Sequence, residues 1–376
     1  MTDAPLPRAP GRRAVLGGLL AGPLAATALA GCMFRSDPVA GASHPALVAP
    51  RGEAVLALLA VPADPAKARA AVQALARRVR AVNAAGAGTT ATLAIGDTWF
   101  AKAGLADRRP PGAAPFPRFP GDRLDRLRTG GDVLVLFEGD NRPIASRGTA
   151  SMLAGFEGLG AVVRWQVAAS RPENEVRNGR ALTRDTLGFV QGFANRDVRD
   201  GPAVDGVTLI RSGDGVPAWA VGGTYLTLRV LHLDRAAWDA EPAAMQEQVI
   251  GRRTDGRWLD GTAAGGEPDY GGDPYGAYTP HDSHVRLANP RTPGSSPPPL
   301  VRRSWSYATP GPAVSREEGV LFMAYQADVE AGFVAVQRRL EKQALNDYIR
   351  TVGSGCFVVP PGDRRDVPWE QSLLGG

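Results

Sequence analysis

Ala54-Val55-Leu56-Ala57-Leu58-Leu59-Ala60-Val61 is an unbroken apolar run with the length of a buried strand. Pro65 to Val82 follows, with Ala, Leu and Val recurring at helical spacing and Arg interleaved, the pattern of an amphipathic helix. Working outward, Thr89 to Ile95 and Asp132 to Glu138 read as two further strands. Pro143 to Gly158 reads as a helix and Ala161 to Ala168 as a strand. A second set begins after Gly192: Thr224 to Leu233 as a strand, Arg235 to Ile250 as a helix, Gly319 to Gln326 as a strand, and Asp328 to Ile349 as one long helix. Residues 251–300 between them are rich in Gly, Pro and Asp, and so long a loop in a compact chain is either disordered or functional.

The first set has the order strand–helix–strand–strand–helix–strand of a ferredoxin-like unit. The chain therefore reads as an α+β protein of two similar units, 51–190 and 191–376, preceded by a leader at 1–31 and a tether at 32–50. Its 376 residues are enough for two ordinary domains. Lys and Arg number 43 against 38 Asp and Glu, a net +5 too small to argue for a nucleic-acid partner. With only four His and two Cys, a Cys-rich zinc module, an iron–sulfur cluster and a disulfide scaffold are excluded.

The leader carries an export signal. Paired Arg12 and Arg13 precede an apolar run from Ala14 to Ala30, the charged and apolar regions of a signal peptide, with the Arg pair pointing to the twin-arginine route. A membrane-spanning reading is poorer, because the run is short, rich in Ala and Gly, and interrupted by Pro23. Two processing sites overlap. Ala28-Leu29-Ala30 offers a signal-peptidase site, giving a secreted or periplasmic protein. Leu29-Ala30-Gly31-Cys32 resembles a lipoprotein lipobox, which would leave Cys32 lipidated and membrane-anchored. Losing residues 1–31 removes Arg8, Arg12, Arg13 and Asp3, which lowers the net charge from +5 to +3. Cys356 then reads as a free buried thiol, packing as a small hydrophobe.

The four His divide by position. His44 falls in the tether and reads as solvated; His232 falls inside a strand and reads as structural. His281 and His284 share the long loop, in Pro280-His281-Asp282-Ser283-His284-Val285-Arg286. Their spacing could place both on one metal, but no further ligands stand nearby. A haem iron asks for only one axial His, which makes His284 a candidate beside its plainer reading as a hydrogen-bonded loop residue.

A series of blocks then resembles one family. Phe119-Pro120-Gly121-Asp122-Arg123-Leu124-Asp125, Gly130-Gly131-Asp132-Val133 and Asp185-Thr186-Leu187-Gly188-Phe189 come first. Gly222-Gly223-Thr224-Tyr225, Trp238-Asp239 and Gly251-Arg252-Arg253 follow. After them stand His284-Val285-Arg286-Leu287-Ala288-Asn289-Pro290-Arg291 and Arg302-Arg303-Ser304-Trp305-Ser306-Tyr307. Glu318-Gly319-Val320-Leu321-Phe322 and Gln337-Arg338-Arg339-Leu340 close the series. In this order, over about residues 90 to 362, they resemble the dye-decolourising (DyP-type) haem peroxidases. The likeness is greatest to the exported bacterial branch of iron-uptake-associated peroxidases and deferrochelatases.

The resemblance implies two ferredoxin-like domains of the dimeric α+β barrel type, with one haem b per chain in the C-terminal domain. It implies His284 as the proximal ligand to iron and Arg302 as the distal arginine. It also implies a haem-lining set of Gly192, Phe193, Ala194, Asn289, Pro290 and Arg291, with Arg291 pairing a propionate beside its plainer reading as a solvated surface charge. Hydrogen peroxide and a bulky organic electron donor would be the substrates, iron-uptake components the partners, and a homodimer or larger ring the assembly. The chain departs from the family at one point. Where the GxxDG motif carries a distal Asp, Gly188-Phe189-Val190-Gln191-Gly192 carries Gln191. An amide hydrogen-bonds peroxide but does not accept and return its proton near neutral pH. Nearby Asp185 and Asp197 are carboxylates that could substitute, although each reads first as a solvated turn or cap residue. The competing functions are thus a peroxidase weakened by Gln191, a haem-handling lipoprotein with residual peroxidase activity, and a partner-binding protein that has lost haem. Intact His284 and Arg302 argue against the third.

Overall fold

The computed structural model describes residues 44–86, 88–178, 180–197, 200–310, 316–362 and 367–375. The expected signal peptide, Cys32 and most of the tether lie outside the described residues. Where the tether expectation can be compared, it needs correction. Residues Pro45–Leu47 form a 3-10 turn with Ala46 fully buried. The His44 ring is not solvated: its Nδ1 accepts from the Ala46 N–H at 3.2 Å and its Nε2 donates to the Pro360 carbonyl at 3.2 Å.

The first half runs β1 (Glu53–Ala60), α1 (Pro65–Ala85), β2 (Thr89–Gly96), α2 (Asp97–Lys102), β3 (Val133–Gly139), α3 (Arg142–Leu153) and β4 (Val162–Ser170). Local chemistry marks the helix ends. The Asp64 carboxylate accepts from the Lys67 N–H, Pro65 opens α1, and Gly86 closes it with φ +62°. A small three-stranded sheet follows, of β5 (Glu175–Arg177), β6 (Arg180–Arg184) and β7 (Val190–Gln191), then α4 (Gly201–Thr208).

The second half comprises β8 (Thr224–Leu233), α5 (Arg235–Ala240), α6 (Ala243–Ile250), α7 (His284–Ala288), β9 (Val301–Ala308), β10 (Glu318–Gln326), α8 (Ala335–Arg339) and β11 (Ile349–Val359). A short C-terminal helix, α9 (Trp369–Leu374), completes the chain.

Two expected helices prove to be broken. The Arg235 to Ile250 segment divides at Pro242, which forces Glu241 into an extended conformation. The expected long helix from Asp328 to Ile349 becomes a π-helical turn at Glu330–Val334, α8, and 3-10 turns at Leu340–Lys342 and Ala344–Asp347. Ile349 then opens β11, a strand rich in β-branched residues that the helical reading overlooked.

Each half is strand–helix–strand–strand–helix–strand, and the eight long strands close one barrel in the order β1-β3-β2-β11-β8-β10-β9-β4. The halves join at two seams, Val358 opposite Ile95 and Ala169 opposite Tyr307. In β1, Leu56 and Leu58 point into the barrel while Ala57 and Leu59 pack under α1, so both faces are buried. That explains the continuous apolar run in place of alternation. In the second half the inward face carries Leu228, Val230, Trp305, Tyr307, Leu321 and Met323, and the outward face fronts a cavity.

Candidate haem site

The cavity has a volume of about 540 Å³ and lies against the outward face of the second-half strands. Strand periodicity aims its side chains. In Arg302-Arg303, neighbours on β9 point to opposite faces. Arg302 lines the cavity, whereas Arg303 enters the barrel and pairs with Glu138 at 3.1 Å. Among the described residues Arg302 forms no ion pair, and desolvation holds its pKa below the usual guanidinium value. Its backbone is clamped by Asn195, whose Nδ2 donates to the Arg302 carbonyl at 2.8 Å and whose Oδ1 accepts from the Arg302 N–H at 3.0 Å.

Asn195 belongs to the loop Gly192-Phe193-Ala194-Asn195, all of which lines the cavity. Gly192 sits at φ +110°, and a Cβ there would stand 2.3 Å from the Ala181 carbonyl oxygen, so only glycine fits.

His284 opens α7, and the fold gives that five-residue helix external supports. Gly251, which ends α6 at φ +92°, lets α7 approach so closely that an added Cβ would meet Val285 at 2.6 Å and Ser283 at 2.7 Å. At the other end, Arg339 of α8 donates to the Leu287 and Ala288 carbonyls at 3.0 Å each. The imidazole itself is oriented by Gln343: Nδ1 donates to Oε1 at 2.7 Å. That bond puts the proton on Nδ1 and leaves a lone pair on Nε2. Desolvation, countered by the Gln343 bond and reinforced by Arg302 and Arg252, lowers the His284 pKa to about 4. The ring is therefore a neutral donor at physiological pH.

The opposite chemistry comes from the hairpin between β6 and β7. Gln191, facing Thr183 across it, lines the cavity and donates through Nε2 to Asp185 Oδ2. Asp185 Oδ1 accepts from the Leu187 and Phe189 N–H groups at 3.0 Å each. Asp185 does cap a turn, as expected, but it is not solvated: it lines the cavity, and burial raises its pKa. Arg252 faces it. Its Nη1 donates to the Val190 carbonyl at 2.6 Å, and burial lowers its pKa to about 10.

Gln191, Gly192, Phe193, Ala194, His284, Asn289, Arg291 and Arg302 thus meet in one cavity, while Pro290 does not line it. Arg291 is neither solvated nor waiting for a partner. It adopts φ +58°, donates to Glu267 at 2.9 Å, and packs 4.9 Å from the Trp258 ring and 5.1 Å from that of Tyr270. Asp197 lines a smaller adjoining recess. His281 is exposed, and His232 lies on β8. Sequence reasoning missed Gln343, hidden in the supposed long helix, and assigned no role to Arg252 or Arg339.

The lining suits a planar, anionic, metal-bearing group. One neutral imidazole donor shares the walls with apolar Leu231, Ile250, Val285 and Phe322 and with two guanidiniums, Arg252 and Arg302, that form no ion pair among the described residues. Arg252 Nε and Asn289 Oδ1 are buried without a hydrogen-bond partner among the described residues, polar atoms that such a ligand would satisfy.

Comparison with known proteins places the sequence and the fold in one family. Residues 51–168 match the family model described as Dyp-type peroxidase, N-terminal, and residues 182–364 the one described as Dyp-type peroxidase, C-terminal. A deferrochelatase of Shigella flexneri is 33% identical over 278 residues, covering 73% of this chain and 66% of the relative. One of Yersinia pseudotuberculosis is 32% identical over 280 residues, covering 73% and 64%. The chain thus spans just under two thirds of these relatives. A DyP-type peroxidase from Cellulomonas bogoriensis superposes with TM-score 0.77 at 28% identity, over 89% of this chain and 96% of its own. Ferric DtpA from Streptomyces lividans superposes with TM-score 0.77 at 27% identity, over 89% and 95%.

Proposed function

We propose, from the premise that this chain belongs to the Dyp-type peroxidase family, that it is an exported haem peroxidase which uses hydrogen peroxide to oxidise bulky organic donors. The observation that carries this reading is the neutral His284 imidazole, oriented by Gln343, in one cavity with the Arg302 guanidinium. Bound haem b, one per chain, supplies a redox-active iron that exchanges electrons with peroxide and with the donor.

The chain's own residues do the rest. His284 Nε2 offers its lone pair to the iron, and the Gln343 carbonyl keeps the other nitrogen protonated and the ring in place. Arg302 cannot release its proton at working pH, so it stabilises negative charge on a peroxide oxygen without competing as an acid. Gln191 hydrogen-bonds peroxide but transfers no proton, which weakens turnover relative to a carboxylate at that position. Gly192, Phe193, Ala194 and Asn289 form the walls. Arg291 can meet a propionate by exchanging its bond to Glu267, a highly exposed partner.

A second reading is a haem-handling lipoprotein of an iron-uptake system with residual peroxidase activity. Gln191 favours it, and the name deferrochelatase carried by the relatives points the same way. After expression with haem supplied, the folded protein should show a Soret absorption band that His284→Ala abolishes or shifts. No band in the parent would defeat both readings. With the band present, peroxide-dependent oxidation of a dye supports the first reading, and its absence supports the second. Gln191→Asp should raise the rate of reaction with peroxide; a rate equal to the parent's would show that the amide is not limiting. Mass spectrometry of the mature protein should find lipidated Cys32, and an unmodified terminus at Gly31 would exclude the anchor.

A further inference from the structure

The cavity wall carries an amide at 191 and holds a carboxylate six residues earlier. Asp185 is partly buried in the cavity wall, and it is tied to Gln191 by a hydrogen bond. We propose that Asp185 is the acid–base residue of this site, accepting a proton from hydrogen peroxide in the cavity while Gln191 serves it as a two-way hydrogen-bond partner. The inference rests on the peroxidase reading above.

The two carboxylate oxygens are unequal. Oδ1 is committed to the backbone N–H groups of Leu187 and Phe189, whereas among the described residues Oδ2 meets only the Gln191 amide. Oδ2 is thus the atom at which a proton can be received. An amide suits both charge states: its NH₂ donates to the carboxylate, and after rotation its carbonyl accepts from the carboxylic acid.

The step balances without electron transfer. An O–H bond of hydrogen peroxide breaks, an O–H bond forms at Asp185 Oδ2, and the products are the hydroperoxide anion and a neutral carboxyl. The surrounding charge favours the anion. Arg252 faces Asp185, Arg302 lies in the same walls, His284 is neutral, and Arg184, next in the chain, bonds Glu173 instead. Burial raises the affinity of Asp185 for a proton, which brings a carboxyl closer to the range where it can take up and give back one.

The test uses the haem-loaded protein and two ligands. Cyanide enters as the neutral acid and binds iron as the anion, so its association rate reports a proton acceptor without turnover; peroxide gives the catalytic counterpart. Both rates in the parent should fall as pH drops through an acid limb belonging to Asp185. Asp185→Asn keeps an oxygen for Leu187 and Phe189 and should lower both rates by about 10²-fold or more, with the limb lost and the Soret band unchanged. Gln191→Met, which removes one donor from the carboxylate, should move the limb to higher pH, and it decides the matter should Asp185→Asn fail to fold. Infrared difference spectra of the parent should show a carboxyl band titrating with the same midpoint. Rates within twofold of the parent's in Asp185→Asn, or a limb unmoved in Gln191→Met, would overturn the proposal. Absence of haem from the parent would instead overturn the peroxidase reading.

Discussion

At the scale of single residues, burial decides what titratable side chains do. His284 and His44 are both desolvated, and both have pKa values lowered to about 4, yet of the two only His284 lines the cavity described above. His44 is structural: with its Nδ1 accepting and Nε2 donating, it is built to be neutral. Its folded pKa lies below the unfolded value of 6.5, so as pH falls from 6.5 to 4 the unfolded chain takes up a proton that the folded one refuses. Stability should drop across that window by up to about 3 kcal/mol and level off below it. Urea unfolding at a series of pH values should show that component missing in His44→Gln. Cys356 is a second case. Its thiol is buried beside the Gly112 carbonyl, burial pushes its pKa upward, and thiol reagents should leave it untouched until the protein unfolds.

At the scale of elements, the site depends on helices too short to hold themselves. Helix α7 has five residues, below any length at which local hydrogen bonding sustains a helix in water. It is held by the close approach at Gly251 and by the Arg339 side chain on its last carbonyls. Gly251→Ala should cost about 1–3 kcal/mol from positive φ and crowding. Because the crowding falls on Ser283 and Val285, the same variant should also broaden or shift the haem absorption band relative to the parent. Unfolding and absorption spectra together check this. Breakage of the supposed long helix belongs to the same logic, since the extended conformation at Gln343 brings its amide to His284. Helical periodicity over 328–349 was real but local. It carried no sign that Gln343 would leave the helix, because that outcome depends on a ring 59 residues away.

At the scale of the whole molecule, two ferredoxin-like halves become one barrel, and a buried ion pair spans them. Glu138 of β3 is fully buried, and Arg303 of β9 is 2% exposed. Glu138 Oε1 accepts from Arg303, and Oε2 accepts from the Arg51 N–H at 2.9 Å. Glu138→Leu should destabilise by about 3–5 kcal/mol, because it strands a buried guanidinium. Arg303→Met added to it should recover most of that loss, and equilibrium unfolding of the two singles and the double measures the coupling. What the sequence by itself determined was the α+β class, most of the strands, and the presence of His284, Arg302 and Gln191. Apolar runs, helical spacing and residue order are local properties that survive without tertiary contacts. Only the tertiary structure decided that Arg302 faces the cavity while Arg303 faces the core, that Gln343 orients the imidazole, and that Asp185 leaves solvent to stand beside Gln191. Each of those outcomes depends on burial and on partners distant in the chain, and neither is written in the spacing of residues along it.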